Sequence, residues 1–245
     1  MTKWVLGPPG QCVTLIANAT ADAASLERAV VALSGQGPLL QLARSGLIAL
    51  NRDQASVDRL LAEQPYLSTW ASDQIASDYR SIRVTGIVSL WTAVEVAVED
   101  TVCLALMNDS AALASALASL ARPPNLPTPF DDDGARRVFK RLEWTRSAQQ
   151  SVGLHYADIL QVVGIVIALS LADAITLAEL NYARNCLLHR GGIIDDRAKI
   201  EAPRLVAHIG KPIPLTRSDY LRYFDAASAF AQALLTGALA SSHAR

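Results

Sequence analysis

Between residues 84 and 106, apolar side chains recur at intervals of three or four: Val84, Ile87, Leu90, Val94, Val98, Val102 and Leu106. That spacing returns each side chain to one side of a 3.6-residue turn, so the stretch is committed to a helix burying a broad face. A long helical region is expected from Ser68 to Asn108. A break or interhelical turn stays open near Thr85, Gly86 and Val88, which are weaker helix formers. A face this wide must be covered by other elements, and the remainder of the chain offers more helices.

Alanine-rich residues from Asp22 read as a helix stopped by Ser34-Gly35-Gln36-Gly37-Pro38. Gly7-Pro8-Pro9-Gly10 before it reads as a turn, and Cys12 to Ile16 as a short strand or an irregular packed segment. Short helices are expected over Leu39 to Arg44 and over Gln54 to Gln64, the latter stopped by Pro65. Ala111 to Ala121 is helical, followed by a loop in which Pro123, Pro124, Pro127 and Pro129 remove backbone donors. Asp131 to Asp133 then suit a helix start. Ala135 to Tyr156 forms one helical candidate, carrying Arg136, Arg137, Lys140, Arg141 and Arg146. Asp158 to Leu169 is apolar and inward facing, with a strand as the alternative because of its Val and Ile content. Ser170 and Asp173 make an S-x-x-D start for a helix over Leu171 to Leu188, which Gly191-Gly192 stops. After Lys211-Pro212-Ile213-Pro214, Ser218 to Leu239 is a closing helix. The expected fold is therefore all-α: a helical bundle over 66–245 with additional N-terminal helices in 1–65.

At 245 residues and 51% hydrophobic, the chain can bury a sizeable core. Its 22 basic and 23 acidic residues exclude whole-chain capture of a polyanion, so any nucleic-acid site must be local. Cys12, Cys103 and Cys186 show neither metal spacing nor a complete disulfide framework, which predicts a cytoplasmic setting. No secretory signal is expected from Met1 to Gln11, where Pro8, Pro9 and Gly10 precede any apolar core. The most apolar tract, Ile159 to Ile175, holds Gln161, Ser170 and Asp173, and reads as a buried helix rather than a bilayer span. His155, His208 and His243 lie too far apart to specify zinc, so no metal or cofactor is expected. A phosphate-binding glycine loop, H-E-x-x-H and G-x-S-x-G are all missing from the sequence.

The informative block runs from Glu179 to Gly192 and contains Asn181, Arg184, Asn185, Cys186, His189 and Arg190. Asn181, Asn185 and His189 follow one another by a turn, while Leu180, Ala183, Leu187 and Leu188 serve packing. Arg184 and His189 are separated by about 7.5 Å of rise and roughly 140° of rotation on an ideal helix. An arginine fork suits phosphate oxygens, and an imidazole suits proton transfer near neutral pH. Cys186 reads as core and Gly191-Gly192 as helix termination. Asp195 either caps the following segment or orients the turn.

Arg184-Asn185, three residues and His189, followed by Arg190-Gly191-Gly192-Ile193-Ile194-Asp195, resembles the motif of HEPN-domain ribonucleases, helical proteins of prokaryotic toxin–antitoxin and antiviral defence systems. The resemblance covers residues 80 to 236. It implies a HEPN-like up-and-down bundle and metal-independent RNA cleavage by a homodimer whose two motif helices share a cleft. Carried over, Arg184 and His189 become the catalytic pair and Asn185 their polar neighbour, holding His189 or the phosphate. Glu95 and Glu99 correspond to residues that orient the cleft. The resemblance further implies attack by the RNA 2′-hydroxyl, giving a 2′,3′-cyclic phosphate and a 5′-hydroxyl. Arg136, Arg137, Lys140, Arg141 and Arg190 are candidates for extending the RNA groove, the alternative for the helix-borne cluster being a charged face paired with Asp131 to Asp133 and Glu143. An antitoxin protein is a further possible partner. The competing reading is a noncatalytic HEPN-like protein that binds RNA or regulates a toxin.

Overall fold

In the computed structural model the described residues are 7–34, 66, 68–145, 147 and 150–241. The helices expected at Leu39 to Arg44 and Gln54 to Gln64, together with Arg146 and His243, lie outside them. The described residues form an all-helical bundle, and the one β-type pairing among them is an isolated antiparallel bridge between Ile193 and Pro212.

Helix α1 (Pro8–Ser34) starts where the sequence predicts a turn. Pro8 and Pro9 occupy the first helical positions, where a backbone N–H has no intrahelical acceptor and the fixed proline φ is already suitable. The predicted strand or irregular segment at Cys12 to Ile16 is therefore helical. Cys12 and Ile16 are buried, and the Cys12 thiol reaches the Ala93 carbonyl at 3.5 Å.

Residues 68–76 are helical, and α2 (Arg80–Asn108) follows. The break falls at 77–79, ahead of Gly86. Asp78 and Tyr79 adopt φ of 52° and 57°, left-handed values uncommon for residues with a Cβ. Arg83 braces that corner: it donates to the Asp78 carbonyl and pairs with the Asp78 carboxylate at 2.7 Å, which holds that carboxyl below its usual range. Gly86 stays inside the helix because a Cβ there would meet the Tyr220 ring at 2.6 Å. Beyond it the apolar stripe is inward as expected, with Ile87, Leu90, Val94, Val98, Val102 and Leu106 all buried.

Helix α3 (Ser110–Ser119) is capped by Asp109, whose carboxylate accepts from the Ala111 and Ala112 amides. In α4 (Asp132–Glu143) the Asp131 side chain accepts from the Gly134 amide at 3.0 Å. The single helix expected over Ala135 to Tyr156 is two helices. α4 ends at Glu143, and α5 (Val152–Val162) begins after Ser151, which caps the Leu154 amide and also donates to the Ala174 carbonyl at 3.1 Å. The tract Asp158 to Leu169 divides likewise: it is helical to Val162, turns at Gly164 (φ 83°), and is then extended without a strand partner among the described residues.

Helix α6 (Leu171–His189) begins as expected, the Ser170 hydroxyl accepting from the Asp173 amide at 3.0 Å. A short α7 (Ala198–Glu201) and a 3₁₀ turn (Pro203–His208) lead to α8 (Arg217–Ala240), which Thr216 and Asp219 start with a reciprocal capping box.

Two compact units emerge, one of Met1–Ala19 with Gly86–Arg245 and one of Thr20–Thr85. In the larger, α6 is the central element, packed chiefly on α8 and α5. Its core includes Trp91, Phe139, Leu160, Tyr182, Tyr223 and Phe230, with Trp91 and Tyr156 stacked at 6.0 Å. In the smaller unit Ala71 and Arg83 are buried, and Arg83 also faces Glu27 at 3.8 Å. Among the described residues, no helix is long and apolar enough to cross a membrane.

Candidate active site

The final turns of α6 are held in place from beneath. Tyr182, Ala183 and Cys186 are buried, so the polar positions between them face away from the core. Gly191 and Gly192, at φ of 60° and 77°, end the helix, and the Gly192 amide returns to the Cys186 carbonyl at 3.0 Å. A Cβ on Gly191 would meet nothing within 4 Å, so glycine is required there for its φ alone. The turn is then tied down by Ile194 N–H to the Lys211 carbonyl (3.0 Å) and Ile213 N–H to the Gly192 carbonyl (2.8 Å).

Asp195 organises this corner. Tyr182 donates its phenol to the Asp195 carboxylate at 3.0 Å and accepts from the Asp195 amide at 2.9 Å, while Arg190 pairs with the same carboxylate at 2.8 Å. Burial pushes the Tyr182 phenol up to about 12, which keeps it a donor at any ordinary pH. Arg190 is thus engaged in holding the turn. Cys186 donates to the Ile193 carbonyl at 3.1 Å, and burial raises its thiol pKa; both features belong to a packed core thiol.

Above that base lies a polar chain. Arg184 donates to the Asn185 side-chain oxygen at 2.8 Å, and Asn185 donates to Asn181 at 3.1 Å. Arg184 also faces Glu95 of α2 at 3.8 Å, and its Nε is buried without a hydrogen-bond partner. Glu95 and Asn181 in turn line a cavity of about 230 Å³ together with Glu143 and His155. His155 is 4% exposed, with its Nε2 at 3.0 Å from the Glu143 carbonyl. His189, the last residue of α6, is exposed and has no hydrogen bond or ion pair among the described residues.

The structure therefore gathers Arg184, Asn185, Asn181 and Glu95 into one network, with His189 outside their hydrogen bonds. Glu99 belongs to a different cluster, accepting from Arg136 at 2.8 Å. Arg136 also pairs with Asp100 at 3.1 Å and Asp132 at 2.9 Å, and Arg137 pairs with Asp133 at 2.5 Å. Lys140 and Arg141 are exposed and have no carboxylate partner among the described residues, and Arg141 lies 5.1 Å from the centre of the Trp144 ring. No group of three or more His, Cys, Asp or Glu side chains suited to a metal occurs among the described residues.

Sequence reasoning passed over two features. Glu179, one of the most deeply buried charges, accepts from Tyr223 at 2.8 Å and pairs with Arg222 on α8. An acid between the buried positions Leu177 and Leu180 was the available signal. The second is Trp144, an exposed indole directly after the basic half of α4, legible as an aromatic next to a charge run. No family model matches the chain, and no curated protein or solved structure matches it.

Proposed function

We propose that the chain is a HEPN-type, metal-independent endoribonuclease in which Arg184 stabilises the scissile phosphate and His189 transfers protons. The observation that carries this reading is the polar network of Arg184, Asn185 and Asn181, on the last turns of a helix that ends in an exposed imidazole, with Glu95 of α2. In the reaction, the 2′-hydroxyl oxygen bonds to phosphorus as its proton passes to a base. The bond to the 5′ oxygen then breaks as that oxygen takes a proton from an acid. His189 from each of two copies fills the two roles across a homodimer cleft, and Arg184 offsets the charge that develops on the phosphoryl oxygens. Asn185 fixes the direction of the guanidinium, and Glu95 anchors it to α2. A toxin or antiviral effector held in check by an antitoxin protein is the biological setting that fits this chemistry.

Cleavage of an RNA panel in EDTA by wild type, Arg184→Ala and His189→Ala is the test, with helical content checked by circular dichroism. The expected products carry a 2′,3′-cyclic phosphate and a 5′-hydroxyl, and His189→Ala lowers the rate by roughly 10²–10⁴. Equal cleavage by wild type and His189→Ala rejects the assignment. A noncatalytic RNA-binding or toxin-regulating protein is the second reading, favoured by one observation: Arg184 is already engaged by Asn185 and Glu95. RNA binding without cleavage by any of the three proteins selects it.

A further inference from the structure

Outside that network lies a chemically distinctive groove of about 460 Å³ between α4 and the proline-rich loop, whose lining includes Arg136, Arg137, Lys140, Arg141 and Trp144 together with Asp133. Three features set it apart from an ordinary charged helix face. Arg136 and Arg137 are neutralised by neighbouring carboxylates, yet Lys140 and Arg141 on the next turn have none among the described residues. Trp144 is 68% exposed, which leaves a large apolar ring in water beside them. Arg141 lies over that ring, so the indole already bears a planar, charged group on its face.

We propose that this groove binds a single-stranded nucleic acid segment, with a base stacking on Trp144 and Lys140 and Arg141 meeting the flanking phosphates. Single strands are held by this combination of an aromatic platform and a cationic groove, since every base has a π-face and every linkage a charge. An acidic peptide would satisfy the cations but would leave the indole uncovered. The groove is also connected to the Arg184 network through α2, where Glu95 faces Arg184 and Glu99 faces Arg136. Those two anchor points are one turn apart, about 6 Å of axial rise. As an extension of the ribonuclease reading, and resting on it for the choice of RNA, the groove holds the strand flanking the cleaved bond.

The test uses the full chain and a fluorescein-labelled 12-nucleotide 2′-O-methyl RNA, which cannot be cut by 2′-hydroxyl attack, with binding followed by anisotropy. Trp144→Ala is expected to weaken binding about five- to hundred-fold. Lys140→Gln with Arg141→Gln should lower the slope of log affinity against log salt by about 1.4, roughly 0.7 for each phosphate no longer neutralised. An unlabelled copy of the oligomer should quench indole emission in wild type, and Trp144→Phe should lose that quenching while retaining most of the affinity. Unchanged affinity and salt slope in both Trp144→Ala and the double variant overturn the proposal, as does equal or tighter binding of a poly-glutamate peptide. Tight, Trp144-dependent binding by a protein that cleaves no RNA would leave the groove standing and reject the ribonuclease. Cleavage with no effect of the groove variants would do the reverse.

Discussion

Glu179 shows how a single side chain can hold the candidate site in register. It lies on α6 five residues before Arg184, is 1% exposed, and is joined to α8 through Arg222 and Tyr223. A buried carboxylate is costly unless its charge is balanced, and here one guanidinium and one phenol do so, although Oε2 is left without a partner. Burial, reinforced by the neighbouring Glu179, raises the Tyr223 phenol above its ordinary range, so it remains protonated and donating. Glu179→Ala would leave Arg222 and Tyr223 facing an empty site. The expected loss is roughly 2–4 kcal/mol in urea unfolding, below the full value for a buried pair because the Arg222 side chain is 26% exposed and partly screened. The double variant Glu179→Ala, Arg222→Ala should cost less than the sum of the singles, since neither partner is then stranded. A Glu179→Ala midpoint within about 0.5 kcal/mol of wild type would mean that the pair has no structural weight.

For whole elements, the decisive terms are caps at the ends and close approaches along the length. Ser170 starts α6 and Thr216 starts α8, each by accepting the amide of an aspartate three residues on. Along α8, Gly237 lets the helix lie against the extended stretch after α5, and a Cβ there would stand 2.5 Å from the Val166 carbonyl oxygen. Gly237→Ala would gain about 1 kcal/mol of helix propensity, but the clash is with backbone and cannot rotate away. Overpacking of that kind costs about 1–3 kcal/mol, so a net fall in thermal midpoint is expected by calorimetry. A rise in the midpoint would mean that the 165–170 segment yields freely. These cases also explain which parts of the fold were readable. The caps at Asp131, Ser170 and the Gly191-Gly192 stop depend on neighbours in sequence, and the stripe from Ile87 to Leu106 on a local period. The Pro8-Pro9 start was misread because proline stops a helix from within and is compatible with its first turn. The break at Asp78 and Tyr79 had no glycine to announce it and is braced by Arg83, whereas Gly86 serves a tertiary approach to Tyr220. The network joining Arg184 to Glu95 was legible only as residue types, because a side chain's partner on another helix is set by packing.

Taken whole, the larger unit distributes its three cysteines over three helices, Cys12 on α1, Cys103 on α2 and Cys186 on α6. All are buried and unpaired, and burial pushes the Cys12 and Cys103 thiols up to about 12 and raises that of Cys186 as well. Only a thiolate reacts readily with a disulfide reagent, so each site is protected by its pKa as well as by its packing. If α1, α2 and α6 belong to one cooperative core, none of the three can react until that core opens, and all should then react together. With excess Ellman's reagent at neutral pH and no denaturant, labelling is expected to be at least roughly 10³-fold slower than in the unfolded chain, since a native core is typically about 5–15 kcal/mol more stable than the open state. In a urea series the labelled fraction should rise in parallel with the loss of helical circular dichroism. An early phase amounting to one thiol, abolished by Cys12→Ser, would instead mean that α1 leaves the bundle on its own. The core would then reduce to the helices from α2 onward, and the Cys12 hydrogen bond to Ala93 would be a surface attachment rather than part of the fold's cooperative centre.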